Sequence, residues 1–169
     1  MEYPKNNAQM TRMELANRLF FRLYQCANML HKTGSRAVSA EGLTTQQWAV
    51  LGALSRPEAA GGLSVGELAR YLMVSRQNLA GVVSRMEQAG HLQSAPDGQD
   101  RRSRLVSISA AGRAVWLRQA LPKIAAYYDE ALDGFSINDM AHTLHYLLQM
   151  LENMKRIDAG AEDFDGSAG

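Results

Sequence analysis

Cysteine is almost absent from this sequence of 169 residues: Cys26 is the only one. No intrachain disulfide can form, and a zinc site built on several thiolates is excluded. No apolar run approaches the ~20 residues that a bilayer crossing needs. The first eleven residues carry Glu2, Asn6, Asn7 and Gln9 and lack the apolar core of a secretory signal. A cytoplasmic protein without a membrane partner is therefore expected. Neither a phosphate-cradling glycine loop nor an HExxH zinc motif is present, and carboxylates are scattered over helix exteriors, so no enzyme and no resident cofactor or metal is expected. Charge of one sign is lacking too. The net charge is +1, so any basic footprint for nucleic acid has to be local. With 46% hydrophobic and 21% charged residues, the chain has the composition of one globular domain with an extension.

The helical signals that are present begin at Arg12. Leu15, Leu19, Leu23, Cys26 and Leu30 recur at helical spacing to about Thr33. Thr44 and Gln47 form a capping box, with Leu43 stapled on Trp48, and open a second helix that Pro57 and Gly61-Gly62 stop. Ser64 and Glu67, with Leu63 and Leu68, repeat the pattern for a short third helix. Ser75 caps a fourth that runs to about Ala89, with Gly90 at its end. Residues 91–95 then alternate, Pro96, Asp97, Gly98 and Gln99 signal a turn, and residues 104–108 alternate again. A tight helix pair followed by a β-hairpin is the result. Ser109 caps a fifth helix toward Leu132, bent at Pro122. A sixth starts near Phe135 with a stripe of Met140, Leu144, Leu147, Leu148, Leu151 and Met154. From Asp158 the composition predicts a disordered tail.

On a helical wheel of the fourth helix, Leu79, Val82, Val83 and Met86 share one side. Gln77, Asn78, Gly81, Ser84, Arg85 and Gln88 occupy the other. That second face suits a DNA major groove: arginine can bridge guanine O6 and N7, glutamine and asparagine can pair with adenine, and Gly81 lets the backbone approach. Ser75 and Arg76, at the helix N-terminus, are placed for phosphate. The hairpin tip, with Asp100, Arg101, Arg102 and Arg104, is a local cationic point. Acidic residues gather elsewhere, at Asp129, Glu130, Asp133, Asp139 and Glu152. The apolar stripes of the first and last helices are too long for a small domain to satisfy alone and call for a second copy of the chain.

In this order the elements resemble the MarR family of bacterial winged helix-turn-helix transcriptional regulators. The matching segments are LSVGELARYLMVS, SRQNLAGVVSRMEQAG and, most specifically, DGQDRRSRLVSISAAG, and the resemblance spans Arg12 to Ile157. It implies a mainly α fold with a β-hairpin wing. Residues 43–109 would form the winged helix-turn-helix, residues 12–42 and 110–157 a helical dimerisation region, and residues 1–11 and 158–169 flexible ends. It further implies a homodimer that binds a pseudo-palindromic double-stranded DNA operator, as a repressor, and releases it when a small effector binds. In the wing, the resemblance places Arg102 in the minor groove, with Asp100 bracing the other guanidinium. The effector implied is an aromatic acid or its coenzyme A thioester, for which Arg22, Tyr24, His31, Arg36 and Trp48 are candidates. Two other sensing modes stay open. The peroxide-sensing branch carries a cysteine in the first helix where this chain has Phe20, with Cys26 falling later, and His142 and His145 have the i,i+3 spacing of a metal pair. A dimeric adaptor that uses the winged helix for protein contacts is the rival outside DNA binding.

Overall fold

A computed structural model of the chain describes residues 11–100 and 103–165. Two compact units divide the chain after Tyr128. The first holds α1 (Arg12–Ala37), α2 (Thr45–Leu54), α3 (Val65–Leu72), α4 (Arg76–Gln88), the strands β1 (Leu92–Pro96) and β2 (Arg104–Ile108), α5 (Ala110–Val115) and most of α6 (Leu121–Ala131). The second is dominated by α7 (Ile137–Asp165). The last helix thus continues past Asp158, where composition predicts a disordered tail. Likewise α1 reaches Ala37 rather than ending near Thr33.

Local chemistry explains where the helices begin. Thr44 Oγ1 accepts from the Gln47 amide at 3.3 Å while Gln47 Oε1 accepts from the Thr44 amide at 2.9 Å. Ser64 and Glu67 close the same reciprocal box on α3. Ser75 and Ser109 accept from the amides three residues on, at 3.2 and 2.9 Å, and start α4 and α5. Each satisfies amides that a helix end leaves without a partner. Two further boxes, Thr11 with Glu14 and Ser136 with Asp139, were not read from the sequence. Hydrogen bonds from Ser64 hold the Glu67 carboxyl below the usual carboxylate range, so the box stays charged further into acid than a free glutamate would.

The fifth helix of the sequence reading is two helices. Between α5 and α6 the turn widens over Trp116–Ala120, and the Leu121 amide donates to the Trp116 carbonyl, five residues back. Pro122 follows, with no amide to donate and a ring that crowds the carbonyl four residues before it. A widened turn is one way a helix accommodates both. The local change keeps Trp116, Ala120 and Ile124 all buried.

The core gathers Val50, Leu51 and Leu54 of α2, Leu68 of α3, Leu79, Val82, Val83 and Met86 of α4, Leu92 of β1 and Val106 and Ile108 of β2. Each such side chain contributes about 1.5–3 kcal/mol before ordering costs. The hairpin is antiparallel, from Leu92 opposite Ile108 to Pro96 opposite Arg104. A short third partner joins it: Leu63 exchanges backbone bonds of 3.0 and 2.8 Å with Val106. Gly62 makes this approach possible, since a Cβ there would stand 3.0 Å from the Val106 carbonyl oxygen at a φ of +84°.

The base of the wing is locked to α5. The Ser109 amide donates to the His91 carbonyl at 3.1 Å, and Gly112 lies so near that a Cβ would fall 1.9 Å from the same oxygen. Gly112→Ala therefore has to push α5 away from the wing base. Urea titration should show a stability loss of about 3 kcal/mol; a loss under about 0.5 kcal/mol would mean that the contact yields easily.

Candidate nucleic-acid interface

Helices α3 and α4 meet through a tight turn at Met73, whose backbone is left-handed (φ 55°), and the Val74 amide returns to the Ala69 carbonyl at 3.1 Å. The turn directs α4 across α3, and the helix then divides by burial. Leu79, Val82, Val83 and Met86 are buried, whereas Ser75, Arg76, Gln77, Asn78, Ser84, Arg85 and Gln88 are exposed and Gly81 is half-buried. The face that is polar in sequence is thus the face left open. Ser75 is already engaged as the helix cap, so its hydroxyl faces the first turn of α4. Gln88 Nε2 donates to Ser84 Oγ at 3.4 Å.

The wing tip is closed by backbone bonds. The Asp97 amide donates to the Ser103 carbonyl at 3.0 Å, the Ser103 amide to the Asp100 carbonyl at 2.9 Å, and Asp97 Oδ1 accepts from the Gln99 amide at 2.9 Å. Arg101 and Arg102 lie outside the described residues. Arg104, expected at the DNA, instead turns across the hairpin: its Nη2 donates to the Ser94 carbonyl at 2.9 Å. This arginine stands on the first residue of β2, opposite Pro96, where a carbonyl of the neighbouring strand lies within reach.

The five effector candidates do not converge. Trp48 is buried and packs its ring edge-on to Tyr127, with centroids 6.0 Å apart, and against Tyr128 at 5.6 Å. Tyr127 shares a 2.9 Å hydrogen bond with Thr33 Oγ1. Partial burial raises the Tyr128 phenol above its ordinary value. Tyr24, by contrast, is 68% exposed and lies about 13 Å further back along α1 from Thr33. Arg22, His31 and Arg36 are exposed as well, and His31 contributes only its carbonyl, which accepts from Thr45 at 2.9 Å. Of the five candidates Trp48 alone lies in this cluster, whose other members Thr33, Tyr127 and Tyr128 are not among the residues named from the sequence. The missed signal was the adjacent tyrosine pair on a helix that lies far away in the chain.

Other motifs resolve in structural terms. Residues 62–66 do carry the GxSxG spacing of a hydrolase nucleophile turn, against the expectation from sequence that no such motif is present. Ser64 Oγ, however, is held by the Glu67 carboxylate at 2.8 Å and by the Glu67 amide at 3.2 Å as the cap of α3. Cys26, on the apolar stripe of α1, is exposed. The stripe itself is open, with Leu19 54% exposed. His142 and His145 are exposed on α7, and among the described residues no three His, Cys, Asp or Glu side chains gather as a metal ion requires. No helix among the described residues is long and apolar enough to cross a membrane.

These elements recur in known proteins. A sequence model described as the MarR family matches residues 41–103, from the turn before α2 to the tip of the wing, short of β2. The chain is 70% identical over 156 residues to the transcriptional activatory protein BadR of Rhodopseudomonas palustris, covering 92% of this chain and 89% of that protein. Among solved structures, reduced AbfR bound to DNA superposes with a TM-score of 0.66 at 20% identity, covering 85% of this chain and 96% of that one. CouR from Rhodococcus jostii RHA1, bound to p-coumaroyl-CoA, does so with a TM-score of 0.68 at 21% identity, covering 81% of this chain and 93% of that one. The two structures establish a shared fold. The 70% identity over 92% of the chain, together with the family model and the order of helices and wing, establishes kinship: this chain belongs to the MarR family of transcriptional regulators.

Proposed function

We propose that two copies of the chain bind a pseudo-palindromic DNA operator, each laying α4 in a major groove with its wing tip at the flanking minor groove, and that a small aromatic effector sets the affinity. The observation that carries this reading is the division of α4. Its apolar side closes the core while an uninterrupted polar and basic side stays open beside a hairpin tip with Arg101 and Arg102. AbfR, of the same fold, is bound to DNA in its structure.

A second copy is favoured by the unpaired helices. Leu19, Phe20, Phe21 and Tyr24 of α1 stand exposed in the first unit, and Leu144, Leu147 and Leu148 of α7 in the second. Covering such residues is worth about 1.5–3 kcal/mol each before ordering costs, more than a monomer gains by leaving them in water. Two-fold pairing also supplies the symmetry that a palindromic site requires. As to the direction of control, the sequence reading put repression first. The relative at 70% identity is named an activatory protein, and we favour activation for this chain on that ground.

The effector reading rests on the aromatic cluster of Trp48, Tyr127 and Tyr128 and on CouR, which holds an aromatic coenzyme A thioester on the same fold. Binding would shift the spacing of the two α4 helices away from that of successive major grooves.

Four measurements bear on this reading. Selection from random duplex DNA should enrich a pseudo-palindrome. On that duplex, Arg101→Ala with Arg102→Ala should cost at least ~10-fold in affinity and lower the salt slope by about 2; an adaptor would show neither effect. A Cβ at Gly81 meets only Arg85 Nη1, at 3.5 Å, so the fold has room for it. Gly81→Ala should therefore raise stability by about 0.8–1.0 kcal/mol while weakening operator binding. Binding and stability rising together would remove Gly81 from the interface. Titration with p-coumarate and p-coumaroyl-CoA, as representatives of aromatic acids and their thioesters, should change operator affinity; if neither these nor other aromatic acids do so, the effector assignment fails.

A further inference from the structure

Glu87 is out of place by ordinary electrostatics. It sits in the last turn of α4, where the helix dipole disfavours a carboxylate, on the helix proposed to face a polyanion. Its surroundings supply a reason. The half-buried Glu87 carboxylate accepts from the hydroxyl of Ser94 on β1, across the turn at Gly90. The carbonyl of the same Ser94 accepts from Arg104 of β2 at 2.9 Å. A chain of three residues therefore runs from α4 through one wing strand to the other.

We propose that Glu87 is a positioning residue for DNA recognition, which through Ser94 and Arg104 fixes the angle between α4 and the wing. Leu63, Leu92, Val106 and Ile108 hold the half of the hairpin nearest the core, and Ser94, midway along β1, is the last β1 residue paired with a buried partner, Val106, so the tie acts where the strands leave the core. Leverage makes the angle matter. Five residues of strand span about 17 Å, so a rotation of ~10° at the base carries the tip ~3 Å sideways, half the width of a minor groove. Arg104, placed at the DNA by sequence reasoning, acts in this arrangement inside the wing. The inference rests on the DNA-binding reading above and adds to it a residue that touches no base.

The test uses the full-length protein and the duplex that the parent protein selects from random sequence. Removing a carboxylate beside a polyanion should by charge alone tighten binding. If Glu87 positions the wing, Glu87→Ala and Ser94→Ala each weaken binding ~10-fold, the double variant is no worse than the weaker single one, and Glu87→Gln, whose amide oxygen can accept the same hydrogen bond, keeps affinity within ~3-fold of the parent. In protein already carrying Arg101→Ala and Arg102→Ala, Glu87→Ala should change little, because no wing contact remains to be misplaced. A general loss of folding would instead lower affinity in both backgrounds. Parental or tighter binding by Glu87→Ala, or an equal loss in both backgrounds, overturns the proposal while leaving DNA binding intact. Failure of the parent itself to enrich any duplex overturns both.

Discussion

Four side chains on one flank of α4, Leu79, Val82, Val83 and Met86, lie against the apolar residues of α2, α3 and the wing strands, and what the helix presents to solvent follows from their burial. A helix has one rotational setting that buries a given stripe, so fixing these four fixes where Gln77, Asn78, Gly81, Ser84 and Arg85 point. The same cluster receives Leu92, Val106 and Ile108, which makes the hairpin part of the core at its base and leaves its tip outside. Helix α4 and the wing are thus two projections of one packed centre. Interiors packed at this density resist continuous deformation, so the spacing of the two projections is well defined.

Much of this was legible because it is written in short-range chemistry. Thr44 with Gln47 and Ser64 with Glu67 form boxes from residues three apart, and Ser75 and Ser109 cap by the same rule. Their helices start where the sequence places them. Gly90 closes α4 with φ +78°, as its position predicts. What escaped depends on distance in the chain or on competition between rules. Leu63 joins the wing through Val106, forty-odd residues on, and no local signal marks such a partner. The widened turn before Pro122 keeps Trp116, Ala120 and Ile124 buried, so a kink predicted from proline alone became a change of helical pitch. The tail beyond Asp158 is poor in large apolar residues, yet it continues as helix from the strong pattern before it.

The candidate site was legible in the same uneven way. The open face of α4 came from periodicity, which burial obeys closely. Arg104 did not, because charge on a strand end says nothing of a carbonyl on the neighbouring strand. Trp48 packs on Tyr127 and Tyr128 of α6, and Thr33 of α1 joins them through Tyr127, whereas the arginines and Tyr24 first grouped with Trp48 sit elsewhere on α1. The exposed leucines of α1 and α7 are the counterpart of the buried ones on α4: a stripe with helical spacing and no cover among the described residues argues for cover from another chain.

The account turns on paired presentation of α4 and the wing to one duplex. Hydroxyl-radical footprinting of the protein on its selected duplex examines this directly. Two protected patches on one face of the DNA, with centres about one helical turn or a whole multiple of it apart and two chains per duplex, are the predicted result. A single protected patch, one chain per duplex, or uniform cleavage at low salt would contradict it.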